Sequence, residues 1–234
     1  MYINSLVGDW ERILDSVFKD QKVLDNLGHI NRLYRISPIK IYPEQENVFK
    51  AFKECPYSKL SVVILLQDPY HDGSATGIAT ANSNNTRILS PSLKIIRDTI
   101  YREVYKLYSI GEAERLAIES QFDPTLVSWA RQGILMLNTA LTVEAGHPQS
   151  HQSYWSRFTE LVLRKLSDIN SGIIYCLWGK YADAYSIYIN SNSNTILRCT
   201  HPAYASYRGL PWDCTHFNDI NKYLKDFNNT TIIW

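Results

Sequence analysis

Apolar residues fall along this chain in two alternating rhythms. Trp10, Ile13, Leu14, Val17 and Phe18 recur at the helical period, so residues 9–19 predict an amphipathic helix. Pro43 is expected to open a second helix through Phe52, because proline suits a first turn. The run from Leu60 to Leu66 is short, apolar and β-branched, which predicts a strand buried on both faces. Pro91 begins a further helix, with Leu93, Ile96, Ile100 and Val104 along one side. Ile134 to Leu137, Ile173 to Trp178 and Thr195 to Cys199 predict three more buried strands. Phe158, Leu161, Val162 and Leu166 mark a helix, and a last one is expected from about Asp213 to Phe227.

Helices set between short apolar strands predict an α/β protein: a three-layer α/β/α sandwich with a central, mainly parallel four-stranded sheet. No repeat or linker interrupts the pattern, so residues 1–234 are expected to form one domain, with residues 1–40 as its helical N-terminal part. Each buried strand runs straight into a polar loop: Gln67-Asp68, Asn138-Thr139, Gly179-Lys180 and His201-Pro202. Ligands of open α/β sheets bind at the carboxyl ends of the strands. Asp68, Asn138 and His201 are therefore expected to meet in space.

Composition narrows the function. The 24 Lys and Arg against 23 Asp and Glu give a net charge of +1, which excludes holding nucleic acid by bulk charge and leaves room for a local groove. The four cysteines are widely spaced, with no CxxC pair, so a reduced protein is expected rather than a disulfide framework or zinc site. The first residues lack a basic stretch followed by an apolar one, and no run approaches the roughly 18 apolar residues of a membrane helix. An intracellular, cytoplasmic protein is expected, or a nuclear one if the chain serves a virus in its host. Taken singly, the polar residues have plain readings. Asp68 before a proline opens turns, Asn138 caps a strand end, and His201 is a loop histidine. His147 and His151 have an H-x3-H spacing without a third ligand, so no metal and no cofactor is expected.

Taken together they say more. Residues 67–71 read QDPYH, 134–143 read ILMLNTALTV, and 201–209 read HPAYASYRG. These motifs, with SWARQG at 128–133, SH at 150–151 and LWG at 177–179, resemble the family 1 uracil-DNA glycosylases over roughly residues 40–234. The resemblance implies excision of uracil from DNA by hydrolysis. It implies Asp68 beside the sugar and the attacking water, and His201 as the donor to the departing base. Asn138 would read the uracil edge, Tyr70 would exclude a C5 methyl group, and Gln67 would help hold the pyrimidine. His71, Ser92, Ser206 and Arg208 would contact the DNA backbone. The implied partner is uracil-containing DNA, single- or double-stranded, met by a monomer; a proteinaceous inhibitor is a further candidate for the same groove.

The chain departs from the family at two places. Thr80 stands where the family has a phenylalanine that stacks on uracil, and such stacking contributes about 1–3 kcal/mol. The family's leucine wedge has no clear counterpart in 201–209; Tyr204 is the choice here over Tyr207 and Leu210. Those losses keep two rivals open: a DNA-binding or scaffold protein with reduced catalysis, and a glycosylase for another base such as a 5-substituted uracil.

Overall fold

The structure, a computed structural model, describes residues 8–83 and 88–234. Residues 1–7, part of the stretch read for a leader, lie outside it. A 3-10 turn at Gly8–Trp10 leads into α1 (Glu11–Phe18). Helix α2 (Gln21–Ile36) follows, which the apolar pattern did not predict. Asp20 starts it by accepting the Val23 N–H at 3.1 Å, and Val23, Asn26 and Ile30 form its buried side.

Pro43 does not open a helix. It follows a two-residue strand, β1 (Ile41–Tyr42), through a cis peptide bond, and its carbonyl accepts the Tyr34 hydroxyl at 2.7 Å. A 3-10 turn at Gln45–Asn47 precedes the short α3 (Lys50–Glu54). Then come β2 (Val62–Leu66), α4 (Pro91–Glu103), α5 (Glu112–Ser120), α6 (Val127–Arg131), β3 (Ile134–Asn138) and β4 (Val143–Glu144). The chain continues as α7 (Gln152–Ile169), β5 (Ile174–Trp178), α8 (Lys180–Asp183), β6 (Thr195–Cys199), α9 (Pro202–Arg208) and α10 (His216–Asn228). Residues 202–208, expected as loop, are thus helical. The last helix starts three residues later than Asp213.

The main sheet has the order β3-β2-β5-β6, and every neighbouring pair in it is parallel. β1 and β4 form a separate antiparallel pair. Every residue of β2 and β5 is buried, so helices cover both faces of the sheet. Successive strand residues point to opposite faces, and two aromatic clusters mark those faces. Phe18, Phe49, Phe52, Trp155 and Phe158 pack edge-on or tilted in one cluster. Trp129, Trp178, Trp212, Phe217 and Trp234 form the other. One buried apolar cluster runs from Trp10 to Trp234. Two glycines sit where no side chain fits: a Cβ on Gly133 would fall 2.0 Å from the Lys59 carbonyl oxygen, and one on Gly77 would fall 1.9 Å from that of Asn47.

Candidate active site

A parallel sheet sends all its carboxyl ends to one side. Here that side carries Asn138 at the end of β3, Gln67 and Asp68 after β2, Gly179 after β5, and His201 two residues past β6. Leu66 and Asn138 are partners in register, so the two loops leave the sheet side by side. The Gln67 carbonyl is locked by two donors from the next loop, Thr139 Oγ1 at 2.6 Å and the Ala140 N–H at 3.0 Å. Thr139 is a positioning residue that the motifs did not single out. The side-chain amides of Gln67 and Asn138 are half-buried, and among the described residues neither has a protein hydrogen-bond partner. Such amides are ready for a ligand's polar edge.

Asp68 is gripped from an unexpected direction. The Gln149 N–H donates to its Oδ2 at 2.6 Å, from a backbone held at φ +68°. The turn that presents Gln149 is fastened at both ends. Gly146 N–H donates to the His71 carbonyl at 3.0 Å, and Ser150 Oγ accepts the Glu144 N–H at 2.8 Å. Burial pushes the Asp68 carboxyl above the ordinary aspartate range, while the Gln149 bond and the nearby His71 oppose it. His71 itself is exposed. His147 is exposed as well and bonds the Ala145 carbonyl, whereas His151 is buried against the Thr142 hydroxyl at 2.8 Å.

His201 caps α9. Its Nδ1 accepts the Ala203 N–H at 3.1 Å, so in the neutral ring the proton sits on Nε2. Burial lowers its pKa to about 4, so the ring is neutral at physiological pH. The imidazole thereby offers one N–H and no charge. Its Cβ lies against Gly179: a Cβ there would meet it at 2.9 Å, and Gly179 has φ +93°. His201 and Gln67 share a cavity of about 390 Å³ with Trp178, Lys180, Tyr181, Thr200 and Tyr204. Asp68, Asn138, Tyr70 and Thr80 do not line that cavity, which lies toward β5 and β6.

Tyr70 is fixed at its hydroxyl, 2.6 Å from Ser90 Oγ and 3.3 Å from the Thr80 carbonyl. Its single proton serves the carbonyl when Ser90 donates to it. Burial raises the phenol to about 12, so it remains protonated. Ser92 is buried and also bonds Tyr70. Thr80 is buried in the left-handed region at φ +61°, with its hydroxyl donating to the Ala79 carbonyl at 2.7 Å. That backbone is rare for a β-branched residue and costs about 1–3 kcal/mol. On α9, Tyr204 is 54% exposed and Tyr207 is 93% exposed. The Arg208 guanidinium lies 4.9 Å from the Tyr204 ring centre, and Ser206 is half-buried beside them.

Residues 52–225 match the model of the Uracil DNA glycosylase superfamily. The uracil-DNA glycosylase of Campylobacter jejuni strain 81-176 is 33% identical over 229 residues, covering 97% of this chain and 92% of its own. That of Neisseria gonorrhoeae strain NCCP11945 is 37% identical over 219 residues, covering 92% and 94%. Among solved structures, the mimivirus uracil-DNA glycosylase superposes with a TM-score of 0.81 at 22% identity, covering 100% of this chain and 91% of that one. Its Y322L variant, solved in complex with UGI, gives the same TM-score. A superfamily match over most of the chain, with relatives above 30% identity along nearly its whole length, places this chain in the uracil DNA glycosylase superfamily.

Proposed function

We infer that this chain removes uracil from DNA by hydrolysing the bond between uracil N1 and deoxyribose C1′, leaving an abasic site. The observation that carries the reading is that the carboxyl end of one parallel sheet carries both a backbone-gripped carboxylate, Asp68, and a neutral imidazole, His201, whose free nitrogen bears the proton. Breaking an N-glycosidic bond leaves positive charge on the sugar and negative charge on the base. Asp68 stabilises the first and orients the water. His201 Nε2–H stabilises the second at uracil O2 without full proton transfer, as a fixed hydrogen-bond donor does.

Base choice follows from hydrogen-bond sense. The Asn138 amide accepts from uracil N3–H and donates to O4; cytosine presents the reverse and leaves buried groups unpaired, at about 1–3 kcal/mol each. Gln67 holds the pyrimidine from the other side. Tyr70, pinned by Ser90, fills the space a C5 substituent needs. This favours uracil over thymine and over the 5-substituted alternatives. Thr80, buried beside Tyr70, offers no ring for stacking.

The base must leave the helix to reach this site. His71, Ser206 and Arg208 meet the flanking phosphates, and Tyr204 enters the gap; Ser92 acts through Tyr70. The protein works as one domain, a reading the single buried cluster supports, and as one copy inside the cell. A proteinaceous inhibitor at the same groove is supported by the inhibitor complex of the mimivirus relative. The test is release of uracil from a labelled oligonucleotide. Asp68→Asn and His201→Gln are each expected to slow the single-turnover rate by about 10²–10³-fold with the fold intact by circular dichroism. Parental rates in both variants would sink the reading.

A further inference from the structure

Outside the strand-end site, Cys199, Cys214 and His216 bring one sulfur or nitrogen atom each within 4.8 Å of one another. Cys199 ends β6, two residues before His201, and Cys214 and His216 lead into α10. The imidazole is already committed. His216 Nδ1 accepts the Trp178 Nε1–H at 3.0 Å, and the ring also bonds the Arg198 carbonyl. Ligating a metal would break one of those bonds, in a ring only 4% exposed. The two thiols are in no disulfide.

They are unlike each other. Cys199 is half-buried and within reach of a small molecule, whereas Cys214 is 3% exposed. Both are free thiols. The Cys199 S–H donates to the Asp213 carbonyl at 3.2 Å, and the Cys214 sulfur lies within 4.8 Å of its own. The neighbouring Cys214 thiol and Thr200 hold the Cys199 thiol below the ordinary cysteine range, and burial pushes Cys214 up. A reachable thiol beside a shielded one is the arrangement that thiol–disulfide exchange requires.

We propose that Cys199 and Cys214 are an oxidisable pair, closed into a disulfide by exchange with a small-molecule disulfide of the glutathione type, and that the closed form excises uracil more slowly. The Cys199 thiolate attacks one sulfur of the small disulfide, forms a mixed disulfide and expels one thiolate. Cys214 then loses its proton and attacks the Cys199 sulfur, expelling the second. Two protein thiols are oxidised and one disulfide is reduced to two thiols.

Closure draws the two sulfurs, which lie within 4.8 Å of each other, to about 2.05 Å. The end of β6 has little freedom to follow. The Cys199 carbonyl accepts the Gly179 N–H at 2.8 Å, Trp212 Nε1 donates to the Thr200 carbonyl at 2.9 Å, and His201 Cβ is against Gly179. The displacement therefore reaches His201, and the kinetic half of the proposal rests on the role given to His201 above.

The folded chain would be incubated with oxidised glutathione, then assayed by peptide mapping, intact mass and single-turnover uracil release. The expected result is loss of two hydrogens per chain, a 199–214 cross-linked peptide, and release slowed about 10- to 100-fold, the scale set by an ångström of misplacement. Dithiothreitol should restore the rate. Cys199→Ser, checked for fold by circular dichroism, should keep its full rate in oxidised glutathione, and Cys214→Ala should stop at a glutathione adduct on Cys199. Absence of the cross-link, a glutathione adduct that stays on Cys199 of the unsubstituted chain, or tight zinc binding by the reduced protein that Cys199→Ser abolishes would overturn the pair. A cross-link with the rate unchanged would overturn the kinetic half, and a parallel His201→Gln variant shows whether the fault lies there or with the role of His201.

Discussion

At the scale of single residues, protonation states decide what the site can do. Asp68 must be ionised to stabilise a cation, and burial raises its pKa, so it is lost as an anion while the pH is still above the ordinary aspartate range. His201, lowered to about 4, does not change charge above that value. The pH profile of kcat/KM should thus show an acid limb displaced upward from a normal aspartate, and no break near the unperturbed histidine value of about 6.5. A break there that vanishes in His201→Gln would contradict this assignment. Thr80 supplies a second residue-scale expectation. Glycine has no Cβ to strain at φ +61°, so Thr80→Gly should raise stability by about 1 kcal/mol in urea denaturation, less whatever its small side chain contributes to packing. The motif residues were legible because they are short, adjacent strings: QDPYH names Gln67, Asp68, Tyr70 and His71 at once. Gln149 was not legible. It contributes only its backbone N–H, and its own side chain carries no trace of that duty.

At the scale of elements, the strands could be read because each is a short, largely apolar run closed by a polar residue. Thr195–Cys199 was predicted to the residue, and the others to within two. As an edge strand, though, Thr195–Cys199 is only half-buried, with Arg198 exposed, rather than buried as expected. The failures have physical reasons. α2 has polar residues and Gly28 breaking up its apolar stripe, so the period is faint although Asp20 marks its start. Pro43 has the residue type of a helix start but sits after a strand, where the Tyr34 hydroxyl claims its carbonyl. For α9 the signs were present: a capping His201, Pro202 at the first turn and Gly209 just past the end at φ +62°. They were outweighed by reading 201–209 as one loop. The meeting of β5 and β6 at Gly179 leads to a further expectation. Gly179→Ala places a Cβ 2.9 Å from that of His201 on a backbone at φ +93°, so uracil release should fall about 10- to 100-fold. An unchanged rate would show that His201 tolerates displacement.

At the scale of the whole molecule, a net charge of +1 bears on how DNA is held. Among the described residues, the basic groups named at the site are few: Arg208 on α9 and Lys180 at the start of α8, with the exposed His71 after β2. Neutralising two or three phosphates predicts a log–log slope of binding against salt of about −2 to −3 on duplex DNA, shallow beside that of a highly basic binder. Fluorescence anisotropy with a labelled uracil-containing duplex and Asp68→Asn, over a range of salt, measures it. A slope several times steeper would mean that a basic surface elsewhere takes part. None of the described helices is long and apolar enough to cross a membrane.

The order of the sheet also sets when activity can first exist. β2 lies in the middle, yet the strands on either side of it, β3 and β5, are made long after it, and β6 closes the row later still. Asp68 emerges early in synthesis, and its partner His201 only near the end. A growing or truncated chain that stops short of β6 holds most of the motifs and none of the chemistry. Because such distant pairings carry the loop-closure cost before any contact rewards it, the chain should fold more slowly than a helical protein of equal length. In stopped-flow refolding, the recovery of uracil release should coincide with the slowest phase of tryptophan fluorescence.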